Sequence, residues 1–349
     1  MGSFYENPRF RSHDKRPLVC RVPLTTYKKP TTNSEYEFIV ATPAFFIDRI
    51  GLSRPGDTLM RYGINLLLWA DTLSNALLPL LDEIRSIGYD SVELPLFELD
   101  LAKYAAWGKH LDDAGLYRSA VTVRGAVDNP ISPDPAVRSL GITNNLKAVE
   151  CAQAAGCNCL AGPFHSALGV FSGIGPTSDE WKWGVEAMQK VAEYAETCHV
   201  TLALEPLNRF ECYFLNCAAD TARFCKAVGH PRCRAMLDTF HSHIEEKKPG
   251  EAIRTLRDQL YHVHISENDR STPGSGNVRW DEIFDALSEM RYDRLLVIEA
   301  FGLLLEKLVP TVRIWRRMYA SERQLASDGL RFMKEQVQKH CRPGVTGAS

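Results

Sequence analysis

Eight short apolar runs punctuate this chain at regular spacing, and amphipathic stretches of helical period lie between them. The runs cover Gly63–Trp69, Ser91–Leu96, Tyr117–Val123, Cys157–Ala161, Val200–Glu205, Arg234–Asp238, Tyr261–Ser266 and Leu295–Glu299. The intervening helices are legible by their apolar faces. "NALLPLLDEIRSIG" sets Leu77, Leu80, Leu81 and Ile84 on one side and stops at Gly88, a residue suited to a helix C-cap. "DEWKWGVEAMQKVAEYAETC" opens on acids and aligns Val185, Met188, Val191, Ala192 and Ala195, and "WDEIFDALSEMRYD" repeats the theme. Eight strand–helix units in this rhythm predict a closed (β/α)8 TIM barrel of the α/β class. A doubly wound open sheet is the alternative. It usually shows a Gly-rich phosphate turn after its first strand, and "NLLLWADTLSN" has none.

The pattern begins at "MRYGINLLLWAD", so the sequence divides into an irregular extension over residues 1–59 and a catalytic barrel over 60–349. The extension is rich in Pro, Thr and Ser, leans basic, lacks any sustained period, and is expected to be poorly ordered. It lacks the apolar core of a secretory signal, and Glu6, Asp14, Glu35 and Glu37 argue against a transit peptide. "FIVATPAFFI" at Phe38–Ile47 falls short of the ~18 residues of a membrane span. A net charge of −2 gives no electrostatic reason to expect nucleic acid or an anionic membrane as partner. The ten cysteines form no CxxC pair and read as reduced core thiols of a cytoplasmic protein.

In such a barrel the chemistry sits at the C-terminal ends of the strands. The fifth run ends on Glu205, directly before Pro206, and the sixth ends on Asp238 with His241 close behind. The seventh carries His262 and His264 on one face, and the eighth ends on Glu299. A buried carboxylate is costly unless something pairs with it. Four successive strands delivering carboxylates or imidazoles to one rim suit an octahedral divalent ion such as Mn²⁺, Co²⁺ or Mg²⁺. Taken singly, each of these residues reads more simply as an exposed or Arg-paired rim residue. His262, two residues deeper than His264, reads as a core histidine hydrogen-bonded inside the barrel. Pro273, Gly274 and Gly276 read as a turn before the helix opened by Trp280 and Asp281; no GK[ST] follows to support phosphate binding.

These segments, "ALEPLNRFE", "LDTFHSHIEE", "HVHISENDRSTPGSGNVRWDEIF" and "VIEAF", resemble the D-tagatose 3-epimerase family of ketose 3-epimerases, within the xylose-isomerase-like TIM barrels. The similarity runs from about Tyr62 to about Lys334 and is densest from Leu202 to Phe301. It implies a metal held by Glu205, Asp238, His264 and Glu299, with Glu205 and Glu299 also the acid/base pair. It implies that Glu211, His241 and Arg270 hold the O1–O3 end of a ketose. Three positions depart from the family pattern. Leu73 stands where an aromatic is common, Leu168 stands where a tryptophan is common, and His165 is additional.

The resemblance implies a metal-dependent isomerase that interconverts C3 epimers of free ketoses. The pairs in view are D-tagatose/D-sorbose, D-fructose/D-psicose and L-ribulose/L-xylulose, with an enediolate between two glutamates. A homodimer or homotetramer is expected. An aldose–ketose isomerase or a keto-inositol dehydratase would use similar metal-bound carboxylates. An apurinic endonuclease would need more metal ligands and a basic surface, and a non-catalytic barrel would not need all seven site positions.

Overall fold

A computed structural model describes residues 60–303, 305 and 308–341; the expected extension over 1–59 lies outside the described residues. The barrel is closed, and every neighbouring strand pair runs parallel. Its strands are β1 (Arg61–Asn65), β2 (Ser91–Pro95), β3 (Tyr117–Val121), β4 (Cys159–Gly162), β5 (Thr201–Leu204), β6 (Cys233–Asp238), β7 (Leu260–Ile265) and β8 (Leu295–Ile298). All eight expected runs therefore form strands.

The boundaries differ where side chains or turns intervene. The first run was expected to extend to Trp69, but β1 stops at Asn65. The Asn65 side chain accepts the Leu67 N–H at 2.9 Å and caps a single 3₁₀ turn over Leu66–Leu68. The fourth run starts late because the Cys157 N–H is already engaged by Ala152 O at 2.8 Å, closing the end of the preceding helix.

Helices α1 (Leu78–Ile87), α2 (Leu101–Ala114), α3 (Pro135–Ala154), α4 (Ser178–Thr197), α5 (Ala218–Val228), α6 (Thr239–Glu245), α7 (Pro249–Thr255), α8 (Trp280–Glu289), α9 (Val309–Val312) and α10 (Glu322–His340) complete the structure. Gly88 ends α1 at φ +107°, as its position in the sequence anticipates. Thr177 and Glu180 form a reciprocal capping box at the start of α4. Met188, Val191, Ala192 and Ala195 are buried along the apolar face of that helix.

Two kinds of interior result. Between strands and helices lies a large aliphatic and aromatic core. Inside the barrel, Cys159, Ala161, Ala203 and Met236 pack on one side, while β1, β2, β3 and β7 turn Asn65, Glu93, Ser119, His262 and His264 into the same space. This polar half of the lumen lies beneath the site. The described cysteines are free and, Cys217 and Cys341 apart, buried. Among the described residues, no helix is long and apolar enough to cross a membrane.

Met60 is buried, and β1 follows it at once. A chain beginning at Met60 is expected to melt cooperatively and keep its catalytic activity. Thermal denaturation and assay of the truncated protein check this; aggregation or inactivity would show that residues 1–59 support the barrel.

Candidate active site

Glu205 sits one residue past β5, its N–H still bonded to Gly162 O at 3.2 Å. Asp238 ends β6 and caps α6 through the Phe240 N–H at 2.7 Å. His264 lies near the end of β7, paired in register with Asp238, and Glu299 follows β8 directly. Four strand ends thus converge, and one donor atom from each of Glu205, Asp238, His264 and Glu299 lies within 4.8 Å of the others. All four residues are buried.

Two of the donors reveal what the cluster lacks in protein partners. Glu205 Oε1 and His264 Nδ1 are buried without a hydrogen-bond partner. Buried polar atoms are rarely left unpaired. Three carboxylates with an imidazole nitrogen form a hard-to-borderline set that fits a divalent cation of the Mn²⁺, Co²⁺ or Mg²⁺ kind.

Arg270 supplies positive charge within the cluster. Its Nη1 donates to Asp238 Oδ2 at 2.7 Å, Glu299 Oε2 at 2.8 Å and Ser266 Oγ at 2.9 Å. The guanidinium lies over Phe240, 4.0 Å from the ring centroid, and 5.0 Å from that of Phe301. Its backbone adopts φ +62°, a left-handed conformation uncommon outside glycine. Those contacts hold it there.

The electrostatics separate the carboxylates. Burial, reinforced by Glu299, raises the Glu205 carboxyl well above the ordinary range. Burial also raises Glu299, against the opposing pull of His264 and Arg270. At Asp238 burial pushes upward too, but Arg270 and His264 outweigh it and hold the carboxyl well below its usual value. Burial lowers the His264 pKa, yet Glu299 and Glu93 overcome that and raise it well above normal. A divalent cation at Nδ1 would replace the proton those carboxylates stabilise.

Glu93, in β2, organises this arrangement from below and was missed in the sequence. Its Oε1 accepts from His264 Nε2 at 2.6 Å and from Asn65 Nδ2 at 2.9 Å, and its Oε2 accepts from Ser119 Oγ at 2.8 Å. The proton on Nε2 leaves Nδ1 to face the cluster, the arrangement by which outer carboxylates orient metal-binding histidines. A lone Glu inside the buried run "SVELP" is the same signal that Glu205 gave. E93Q is expected to weaken Mn²⁺ binding by ~10–100-fold, measured by electron paramagnetic resonance titration; unchanged affinity would count against the role.

His262 differs from expectation. Its Nε2 lies 2.8 Å from Glu93 Oε2, but neither ring nitrogen makes an aligned hydrogen bond. It is a core histidine close to Glu93 but without a well-formed bond to it, because Glu93 is already aimed at His264, Asn65 and Ser119.

Above the cluster opens a cavity of about 750 Å³, lined by Glu205, Glu211, His241, Arg270 and Glu299 among others. Asn208 joins two of them. Its backbone N–H donates to His241 Nδ1 at 3.1 Å, and its Nδ2 donates to Glu211 Oε1 at 2.9 Å. His241 Nε2 then faces 3.7 Å from Glu205 Oε1 and 3.1 Å from Arg270 Nη2. Burial lowers the His241 pKa to about 4, so the ring is neutral near pH 7. Glu211 lines the cavity rather than pointing to solvent.

The PGSG turn is occupied internally. Glu267, fully buried, accepts from the Gly274 N–H at 2.8 Å, the Val278 N–H at 3.1 Å and Trp280 Nε1 at 3.2 Å. A Cβ at Gly276 would stand 2.7 Å from Glu267 Oε1, so the close wrap requires glycine. Of the departures, Leu168 lines the cavity, whereas Leu73 is buried outside its wall. His165 is buried behind Glu205.

Fold and site together define a TIM barrel with a carboxylate-rich cluster of potential metal ligands at its C-terminal mouth. The family model of the xylose isomerase-like TIM barrel matches residues 81–336. An L-ribulose 3-epimerase of Mesorhizobium japonicum is 33% identical over 279 residues, covering 79% of this chain and 93% of that protein. A D-psicose 3-epimerase of Agrobacterium fabrum is 30% identical over 261 residues, covering 74% and 90%. The crystal structure of a D-allulose 3-epimerase from Methylomonas sp. in complex with D-allulose superposes with a TM-score of 0.75 at 29% identity, covering 80% of this chain and 97% of that one. The chain belongs to the xylose isomerase-like TIM barrel family and, within it, to the ketose 3-epimerases.

Proposed function

We propose that this protein is a metal-dependent carbohydrate epimerase that inverts C3 of free ketoses. The observation that carries the reading is the pair Glu205 and Glu299: two buried glutamates from strands three apart in the ring, both within the cation-donor cluster and both lining the cavity. The names of relatives such as the D-psicose and L-ribulose 3-epimerases support the reaction class. Candidate substrates are ketoses of the D-tagatose, D-fructose or L-ribulose type.

Inversion at C3 needs a proton removed from one face and another delivered to the opposite face. A divalent cation held by Glu205, Asp238, His264 and Glu299 would polarise the C2 carbonyl and stabilise the charge that develops on its oxygen. One glutamate, ionised, takes the C3 proton; the other, protonated, returns one from the far side, and the roles exchange in the reverse direction. Burial raises both carboxyls, which suits a pair that shares one proton, one carboxyl protonated and one ionised. Glu211, His241 and Arg270 would hold O1–O3 and so place C3 between the two.

Incubating a panel of free ketoses in deuterium oxide tests the reading. The expected result is deuterium at C3 of both recovered substrate and product after many turnovers. Label at C1 with C3 unlabelled would identify an aldose–ketose isomerase instead.

A further inference from the structure

Glu205 leaves the strand at the point where its carbonyl loses the ladder. Pro206 follows and has no N–H, and the chain turns away toward Asn208 and Glu211. The Glu205 carbonyl oxygen is not left bare: His165 Nε2 lies 2.8 Å from it. A carbonyl only accepts, so Nε2 carries the hydrogen. On the other edge of the ring, Ser166 Oγ lies 2.9 Å from Nδ1 and donates to it, which fixes the same tautomer. Ser166 Oγ in turn lies 3.4 Å from Cys212 Sγ.

The ring is fully buried and packs against Phe214 at 5.9 Å between centroids. It reaches this place because Gly162, at φ +116°, turns β4 sharply at its end; a Cβ there would meet Thr122 O at 2.3 Å. His165, Ser166 and Cys212 therefore form a short buried chain whose free end grips the peptide between Glu205 and Pro206.

We propose that His165 is a positioning residue that fixes the Glu205–Pro206 peptide and thereby aims the Glu205 carboxylate at one face of C3. The proposal rests on the epimerase reading for its chemistry. It has a consequence that overall packing does not share. With the cation site kept saturated, so that the shared role of Glu205 as a ligand is held constant, anchoring Glu205 bears on proton transfer at the Glu205 face; Glu299 is carried by a different strand, β8.

The test compares proton exchange at the two faces. Exchange of C3–H for deuterium without inversion needs only the glutamate on that face. Each C3 epimer, incubated in deuterium oxide at saturating Mn²⁺, therefore reports one glutamate, and E205Q and E299Q assign which. H165F, which fills the space but has no donor, is expected to slow exchange on the Glu205 face by ~10–100-fold while leaving the Glu299 face within about twofold. H165Q, whose amide can donate to the carbonyl, should recover most of the loss. In a crystal structure of H165F without added metal, the Glu205–Pro206 peptide should be rotated from its present orientation.

Equal losses on both faces, or no loss on either, would overturn the proposal. So would an unrotated peptide. Should H165F fail to fold, S166A carries the same comparison: it frees the ring tautomer, and selective slowing on the Glu205 face is again expected, with equal rates on both faces overturning the idea. If the wild type places no deuterium at C3, the epimerase reading fails separately, and the peptide orientation in the variant crystal still decides the role of His165.

Discussion

Replacing either Glu205 or Glu299 with Gln is expected to lower kcat by ~10²–10⁴-fold or more, the range for loss of a general acid–base group. Glutamine keeps the shape and one oxygen but carries no exchangeable acid proton. Both residues are also in the donor cluster, so the loss should reach the top of that range or exceed it. Metal content measured on each variant separates the two contributions. A variant that still binds Mn²⁺ should exchange the proton on the face of the remaining glutamate without inverting C3. E205Q and E299Q should therefore label opposite epimers. If a single variant retained full epimerisation, the two-base scheme would be wrong, since one carboxylate cannot serve both faces of a fixed substrate.

Removal of metal should have a comparable effect. Extensive chelation is expected to abolish turnover, and Mn²⁺ or Co²⁺ to restore it; full activity in metal-free protein would refute the scheme. The proposed metal site would also set a pH dependence of metal uptake. Burial and Glu299 raise the Glu205 carboxyl well above the ordinary range. It therefore keeps its proton at a pH where an exposed glutamate would have lost it. A cation has to displace that proton, and the one His264 holds against Glu299 and Glu93. Metal affinity should thus rise with pH until those groups ionise unaided. Calorimetry in buffers of differing ionisation enthalpy would show proton release on binding, and affinity independent of pH would contradict the raised values.

Both effects trace to the same four residues, and the sequence already placed them on one rim. Strand ends in a (β/α)8 barrel are a fixed geometric class, so an apolar run ending in Glu205, Asp238 or Glu299 specifies position as well as composition. The eight runs, the helix faces and the Gly88 cap follow from period and backbone preference, which act over a few residues and need no partner from afar. Glu211, His241 and Arg270 came from resemblance to a family, and the fold then set them around one cavity.

What the sequence by itself determined was the ring of strands and the carboxylates and imidazoles that its mouth collects. The tertiary structure alone decided the pairings. Glu93 meets His264 across 171 positions of chain, and His165 meets the Glu205 carbonyl across 40. No local pattern encodes either meeting, because each depends on barrel closure and register rather than on neighbours in sequence. The same holds for Glu267, which takes the N–H groups of the PGSG turn. It holds for His262 too, left without an aligned bond because Glu93 has other partners. A hydrogen bond is directional and short-ranged, so which buried polar groups satisfy one another is settled only when the strands that carry them are brought side by side.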